Sequence, residues 1–93
     1  MWRGRFCALC GRNGTADPLD KHHVYGAANR NKSEKYGATV YLCHERCHER
    51  GKEAVHNCRA TDLMLKRKTQ QELMERLGWS EEDFRREFGK SWL

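Results

Sequence analysis

Two adjacent histidines, His22 and His23, follow a short strand-like run and lead into a glycine-containing loop. Imidazole binds divalent cations, and because its pKa lies near neutrality it can also take a proton from water. Consecutive strand residues point to opposite faces, so both rings can serve one site only if the strand ends there. His48 and His56, further along the chain, could join that site. We therefore favour a metal site that also transfers protons over the alternative that one histidine is packed and the other exposed.

Four of the five cysteines occur in two closely spaced pairs: Cys7 and Cys10, then Cys43 and Cys47. Two thiolates from one tight turn can reach one ion, and two residues four apart on a helix share a side. Together they predict a tetrahedral zinc site, which is structural because a closed four-thiolate shell has no open position. His44 or His48 could replace one cysteine. If Cys47 faces the zinc, the next residue is rotated by about 100° around the helix and faces elsewhere.

The fifth cysteine, Cys58, is left over, and we expect it to pack as a small hydrophobic side chain. An odd number of cysteines, with no secretory signal before the first pair, favours a reduced intracellular protein over a disulfide framework. The sequence contains no apolar run long enough to span a membrane. We therefore expect a cytoplasmic protein that has no membrane partner.

The chain has 93 residues, of which 38% are hydrophobic, and its formal net charge is +5. The length predicts one domain, and so small an apolar fraction favours a metal ion as a staple. The positive charge favours a polyanionic partner such as nucleic acid, bound through neutralised phosphates. Residues 25–37 form a polar segment, expected to be a loop. Its basic side chains either contact phosphates or are solvated: Arg30, Lys32 and Lys35.

Hydrophobic patterning predicts two strands and a short helix in the first part of the chain. Residues 19–24 and the β-branched run 38–42 suit strands, and a short helix is expected to begin at Cys43 and to end at Gly51. We expect residues 1–5 to be a basic arm. The two strands and the helix would bring the cysteine pairs and the histidines into one α+β domain.

The last third of the chain predicts two further helices. Residues 62–77 suit a helix that Gly78 stops, and Ser80 with Asp83 resembles a capping box that opens a final helix with Phe84 and Phe88 turned inward. One face of the longer helix is expected to be core: Leu63, Gln70, Leu73, Met74 and Leu77. We expect this helical tail to pack on the metal-binding part.

The motifs follow one another in a characteristic order. The order is Cys-x-x-Cys at 7–10, Asp-Lys-His-His-Val at 20–24, a strand ending in Leu-Cys at 42–43, and Cys-His on a helix at 47–48. This order resembles the HNH family of ββα-metal endonucleases. Residues 25–30 and 33–37, the Val-His pair at 55–56 and the last six residues are similar to small HNH-like proteins of phages and prophages. The resemblance implies an HNH ββα-metal domain with a zinc knuckle over residues 1–59 and a helical extension over 60–93.

The resemblance also implies a role for each histidine. The family places a metal ligand directly before the general base, so His22 would be a ligand and His23 the base. His48, which follows the last zinc cysteine, would be a second ligand, and His56 either a further ligand or a group that contacts the scissile phosphate. The implied reaction is in-line attack of a His23-activated water on a DNA phosphodiester, leaving 5′-phosphate and 3′-hydroxyl ends. The catalytic cation would be Mg²⁺, Mn²⁺, Ni²⁺ or Zn²⁺, in addition to the structural Zn²⁺.

One position departs from the family's pattern. The family usually has an Asn just before the second strand to orient the base, whereas this chain has Gly37-Ala38-Thr39 there. Asn29 is our choice for that role, with Asn31 as the alternative. If neither reaches His23, a backbone carbonyl or another acceptor must fix its tautomer.

Three functions fit these observations. The first is a metal-dependent endonuclease acting on DNA, with RNA as the alternative substrate. The second is a zinc-stabilised nucleic-acid-binding module without catalytic activity. The third is an accessory protein that cleaves only in a complex with other phage proteins. A monomer would nick one strand, whereas a dimer could cut both.

Overall fold

The computed structural model describes residues 5–52 and 54–93, so most of the basic arm predicted for residues 1–5 lies outside the described residues. The architecture is α+β, as predicted, with a two-stranded sheet and several helices. In chain order the elements are β1 (Leu19–His23), a 3-10 turn (Ala27–Asn29), α1 (Arg30–Tyr36), β2 (Thr39–Cys43), a π-helix (His44–Glu49), α2 (Arg59–Leu77) and α3 (Glu81–Phe88).

The sheet pairs β1 with β2 in antiparallel orientation. At one end the His44 amide donates to the Pro18 carbonyl at 2.8 Å, and at the other the Val24 amide donates to the Ala38 carbonyl at 3.0 Å. β2 consists mainly of β-branched and aromatic residues, which suit a pleated strand, and burial alternates along its first four positions. Both predicted strands are confirmed to within one residue.

The chain divides into two compact units. The described part of the first unit is residues 5–22 and 39–62 without residue 53, and it contains the paired strands, except for His23 at the end of β1, and the π-helix. The second unit is residues 23–38 and 63–93, which contain α1, most of α2 and α3. Residues 23–38 thus group with the C-terminal helices, and the domain boundary expected after residue 59 stays a prediction.

The short helix predicted after β2 is the π-helix. The hydrogen-bond spacing defines this wide turn: the Arg50 amide donates to the Glu45 carbonyl, five residues earlier, at 2.7 Å. The Gly51 amide donates to the same carbonyl at 3.0 Å. A Cβ on Gly51 would overlap the Arg46 carbonyl oxygen, so the chain can leave the helix in this way only with glycine. Single π-turns occur often at functional sites, and this one carries two of the predicted metal ligands.

In the second unit, residues 25–37 form the 3-10 turn and α1, so the prediction of a loop there is wrong. The helix α1 has no apolar stripe, because its buried residue is Ser33. The Ser33 hydroxyl donates to the Tyr25 carbonyl at 2.7 Å and accepts from the Tyr25 amide at 3.2 Å. Gly37, with φ of +73°, provides the left-handed cap that ends α1.

The helix α2 begins three residues earlier than predicted and ends at Leu77, as expected. Its buried face is formed by Leu65, Thr69, Gln70 and Leu73. The predicted stripe is therefore only partly right, since Leu77 is 38% exposed. Leu65 and Thr69 are buried but were not part of the predicted stripe. Gln70 was part of it, and its side chain donates to the Ser91 hydroxyl at 2.8 Å and accepts from the Trp92 amide at 2.8 Å.

The predicted capping box of α3 is confirmed. The Ser80 side chain accepts from the Asp83 amide, and the Asp83 carboxylate accepts from the Ser80 amide. This cap sets the start of a helix that buries Phe84 and Phe88, both predicted to face inward. The Tyr25 ring packs against both phenyl rings, with centroids 5.4 and 4.7 Å away. An aromatic cluster therefore forms the core of the second unit.

Candidate metal centres

The first unit brings the four predicted thiols together. The sulfur atoms of Cys7, Cys10, Cys43 and Cys47 all lie within 4.8 Å of one another, and those of Cys10 and Cys43 are 3.5 Å apart. Zn–S bonds of about 2.3 Å in a tetrahedron would put the sulfurs about 3.8 Å apart. The cluster therefore has the size of a four-thiolate metal site.

Hydrogen bonds of the backbone hold the N-terminal pair in a tight turn. The Cys7 amide donates to the Arg12 carbonyl at 2.8 Å, the Gly11 amide donates to the Cys7 carbonyl at 2.9 Å, and the Cys10 amide points at the Cys7 sulfur at 3.5 Å. Cys7 also forms a bridge with Tyr41 of β2. Because Cys43 is the last residue of the same strand, β2 fixes both pairs relative to one another.

The thiols differ in how readily they ionise. Burial raises the pKa of Cys43 to about 12 and also raises the pKa of Cys47. At the exposed Cys10 the effect of burial is outweighed by hydrogen bonds from the Arg12 backbone and the Cys43 thiol, which lower its pKa to about 6. Four thiolates can therefore coexist here only with a compensating positive charge. A soft divalent cation supplies that charge, so the donor set fits one.

A second cluster in the same unit consists of three imidazoles. His22 comes from β1, His48 from the π-helix and His56 from the turn that follows, and one ring nitrogen of each lies within 4.8 Å of the others. The Nε2 atoms of His48 and His56 are 3.1 Å apart. M–N bonds of about 2.1 Å leave two ligand nitrogens on one cation about 3.0–3.4 Å apart. The three rings predicted as ligands are thus spaced for a shared divalent cation.

Backbone contacts hold the His56 turn beside the π-helix. The Val55 amide donates to the Cys47 carbonyl at 2.8 Å, and the His56 amide donates to the His48 carbonyl at 3.3 Å. The Asn57 side chain donates to the Glu49 carbonyl at 2.9 Å. These bonds position His56 next to His48, although the two are eight residues apart.

Asp17 fixes the start of the π-helix, a role that the sequence analysis missed. Its carboxylate accepts from the Arg46 amide at 3.0 Å and from the Glu45 amide at 3.1 Å. These two bonds, the Arg46 bond first, lower the pKa of Asp17. An acidic residue is the usual cap for exposed helix amides, but nothing in the local sequence pairs this one with a helix almost thirty residues later.

Asp20 is the second residue that the sequence analysis missed. Its Oδ2 lies 2.5 Å from Nδ1 of His44 and 3.0 Å from Nδ1 of His48. The bond to His44, more than the one to His48, lowers the pKa of Asp20, and the same contact raises the pKa of His44. The strand period gives a signal for Asp20, because residues two apart in β1 share a face and Asp20 precedes His22 by two.

The remaining predicted residues lie in the second unit. Nε2 of His23 is 3.1 Å from a carboxylate oxygen of Glu34. The Asn29 side-chain amide, which we expected to orient His23, instead donates to the Phe88 carbonyl at 2.9 Å. The structure therefore gives His23 a carboxylate partner that the sequence analysis did not consider, and it gives Asn29 a structural contact.

Two of the three basic residues proposed to contact nucleic acid also make contacts within the second unit. The Lys32 ammonium donates to the Glu87 carbonyl at 2.6 Å, and the Lys35 ammonium lies over the Tyr36 ring, 5.2 Å from its centroid. Arg30 is exposed at the start of α1. The three side chains thus have different surroundings: Arg30 and Lys35 are exposed, whereas Lys32 is half-buried.

None of the helices within residues 5–52 and 54–93 is long and apolar enough to cross a membrane. A scan against protein-family models, a search of curated proteins and a search of solved structures each found no match to this chain. The relation to the HNH family stays a prediction from the motifs, and the two clusters of metal-binding side chains are what the structure adds to it.

Proposed function

We propose that this protein is a metal-dependent endonuclease of the HNH type that hydrolyses DNA phosphodiester bonds. The observation that supports it best is the group of three imidazoles, His22, His48 and His56, whose ligand atoms lie within 4.8 Å of one another. The same unit also contains four thiols at metal-binding distance. A nuclease with a structural zinc is expected to have two kinds of metal site. One is a set of imidazoles that binds an exchangeable catalytic cation, and the other is a closed set of thiolates that binds the structural ion.

In this proposal His22, His48 and His56 hold the catalytic divalent cation. Once bound, the cation stabilises the negative charge that builds up on the phosphoryl oxygens and on the leaving 3′-oxygen. The four cysteines hold a structural Zn²⁺. The net charge of +5 favours binding of the DNA backbone, with Arg30, Lys32 and Lys35 as candidate phosphate contacts.

His23, which directly follows His22 and ends β1, is the proposed general base. Glu34 supports a defined tautomer for it: the carboxylate, 3.1 Å away, accepts a hydrogen bond from the protonated Nε2, and the lone pair is then on Nδ1. Nδ1 of His23 would take the proton of the attacking water. The products would carry 5′-phosphate and 3′-hydroxyl ends.

The test is nicking of supercoiled plasmid with and without Mg²⁺, Mn²⁺ or Ni²⁺. We expect metal-dependent nicking by the wild type and a loss of at least 100-fold in His23→Ala, since general base catalysis contributes roughly 10²–10⁴-fold. DNA binding and the circular dichroism spectrum should be unchanged in that variant. Gln71→Ala, at an exposed position of α2, serves as the control with normal activity. Equal nicking by wild type and His23→Ala would exclude the proposed mechanism.

The second candidate is a zinc-stabilised nucleic-acid-binding module without catalysis. One observation favours it: the Asn29 amide is engaged with the Phe88 carbonyl, so the asparagine that the family uses beside its base is not available from this residue. The same assay separates the two functions. A module of this kind would bind plasmid and retain zinc, and neither wild type nor His23→Ala would nick with any of the cations.

A further inference from the structure

Asp20 and the imidazoles around it form a connected group within the first unit. Residues two apart in a strand share a face, so β1 presents Asp20 and His22 side by side. The π-helix contributes His44 and His48, which are four residues apart. A single carboxylate oxygen, Oδ2 of Asp20, contacts Nδ1 of both helix histidines, at 2.5 and 3.0 Å.

We propose that Asp20 is a positioning residue that fixes the tautomer and ring orientation of His48, so that Nε2 of His48 is free to bind a divalent cation. This inference rests on the imidazole metal site of the proposed function, and it does not depend on whether DNA is cleaved.

The chemistry of the carboxylate leads to this role. An ionised carboxylate can only accept hydrogen bonds, so a neutral His48 in contact with Asp20 carries its proton on Nδ1. Its lone pair is then on Nε2, the atom that lies 3.1 Å from Nε2 of His56. A side chain that donated to His48 instead would move the proton to Nε2 and close that atom to metal binding.

His44 has a different part in the arrangement. It shares Oδ2 of Asp20, and its ring is about half exposed, with 49% of the side chain accessible against 14% for His48. A carboxylate has about four lone-pair sites, so the two bonds do not compete for one acceptor position. His44 restrains the rotation of the carboxylate, but it is not among the three imidazoles of the metal cluster. Removing it should leave the bond from His48 to Asp20 in place.

Asp20, His44 and His48 also have ligand atoms within 4.8 Å of one another, which raises the alternative that Asp20 is itself a ligand of a second ion. A separation of 3.0 Å between Asp20 Oδ2 and His48 Nδ1 is an ordinary hydrogen-bond length. Binding a second ion there would require His48 to lose its Nδ1 proton and bridge two cations. The stoichiometry of metal binding separates the two arrangements.

The experiment titrates Mn²⁺ into zinc-loaded protein, with binding followed by calorimetry and by the electron paramagnetic resonance of free Mn²⁺. We expect one Mn²⁺ per chain in the wild type and an affinity about 10–100-fold lower in Asp20→Asn, whose amide can donate to Nδ1 of His48. The zinc content should not change. His44→Ala should lose less than about threefold. Two Mn²⁺ per chain, or an equal loss in His44→Ala and Asp20→Asn, would overturn the proposal.

A second measurement needs no variant of Asp20. Long-range ¹H–¹⁵N correlation spectra of the wild type without Mn²⁺ report the tautomer of each imidazole. We expect His48 to carry its proton on Nδ1, and a proton on Nε2 would contradict the role assigned to Asp20.

The variant His48→Ala distinguishes a failure of the metal site from a failure of the positioning role of Asp20. If it abolishes Mn²⁺ binding and Asp20→Asn has no effect, the metal site stands and Asp20 has no positioning role. If Mn²⁺ binding survives His48→Ala, the metal site of the proposed function is wrong.

Discussion

The two units have different interiors. In the described part of the first unit, three of the buried apolar residues are the thiols of Cys7, Cys43 and Cys47, and the largest fully buried side chain is Leu42. In the second unit the fully buried side chains include Tyr25 and Phe84. Aromatic burial stabilises a fold without any ligand, whereas a cluster of thiols does so only when a cation joins them. The first unit should therefore depend on metal for its stability, and the second should not.

The strongest test of this difference is Cys47→Ser. We expect the variant to lose the metal of the thiol cluster and, with it, the ordered structure of the first unit. The effect is large because the apparent binding free energy of a structural zinc, about 10–16 kcal/mol in small zinc-binding peptides, is at the same time folding free energy. Metal analysis and the dispersion of amide NMR signals from residues 5–22 measure it, while ring signals of Tyr25 and Phe84 should persist.

Cys58→Ser is the matched control, because Cys58 is a half-buried cysteine that does not belong to the cluster of four thiols. It should keep a full complement of metal. If Cys47→Ser also kept its metal and its cooperative unfolding, the four cysteines would not form a structural site. If it instead lost the ring signals of the second unit, the stability of the two units would not be separable.

Phe84→Ala tests how much the aromatic core stabilises the second unit. Phe84 is fully buried, and its ring lies 4.8 Å from that of Phe88 and 5.4 Å from that of Tyr25. Truncating a buried phenylalanine costs about 3–5 kcal/mol, through lost burial and the cavity that remains. Urea unfolding followed by tryptophan fluorescence measures the loss. Leu77→Ala, at a site that is 38% exposed, should change stability by less than about 0.5 kcal/mol.

Metal content distinguishes a loss of stability in the second unit of Phe84→Ala from a general loss of structure. We expect Phe84→Ala to retain the metal of the thiol cluster at stoichiometric level, because none of the cluster's ligands belongs to the second unit. Loss of metal from Phe84→Ala would show that the aromatic core also stabilises the metal site.

The sequence predicted those elements whose signals are local. A run rich in β-branched and aromatic residues identified β2, and the Ser80–Asp83 pair identified the start of α3, because each pattern lies within a few residues. It failed for α1, where the buried side chain is Ser33 and its stabilising partner is the backbone of Tyr25. A polar residue that is buried by tertiary contacts cannot be recognised from hydrophobic periodicity.

The candidate sites show the same limit. Residue type and spacing were enough to predict the four cysteines as one set of ligands. The roles of the histidines came from the resemblance to the HNH family, which implied His22 and His48 as ligands and left His56 as a ligand or a phosphate contact. The residues that hold the ligands could not be named in this way. Asp17 has no local signal, and the strand period places Asp20 on the face of His22 without showing that the π-helix lies against it. Long-range pairing of this kind depends on the fold, which a single sequence does not show.

The smallest expected effect concerns the pH dependence of the second unit. The hydrogen bond from the Ser80 amide lowers the pKa of Asp83 below 3.8. A carboxyl whose pKa is lower in the folded state than in the unfolded state stabilises the fold. This contribution is fully present above the pKa of the unfolded state and is lost as the pH falls through the pKa of the folded state. The second unit should therefore lose this contribution only below about pH 4. Asp83→Asn should show a shallower acid dependence of its unfolding free energy than the wild type.

The control for the capping box is Glu82→Gln, which changes an exposed carboxyl in the same first turn of α3 but outside the box. Urea unfolding at a series of pH values between neutrality and about pH 3 compares the three proteins across the range in which Asp83 titrates. If Asp83→Asn and the wild type had the same acid dependence, the capping box would not contribute to stability through the charge of Asp83. The start of α3 would then depend on the Ser80 hydroxyl and on burial of Phe84 alone.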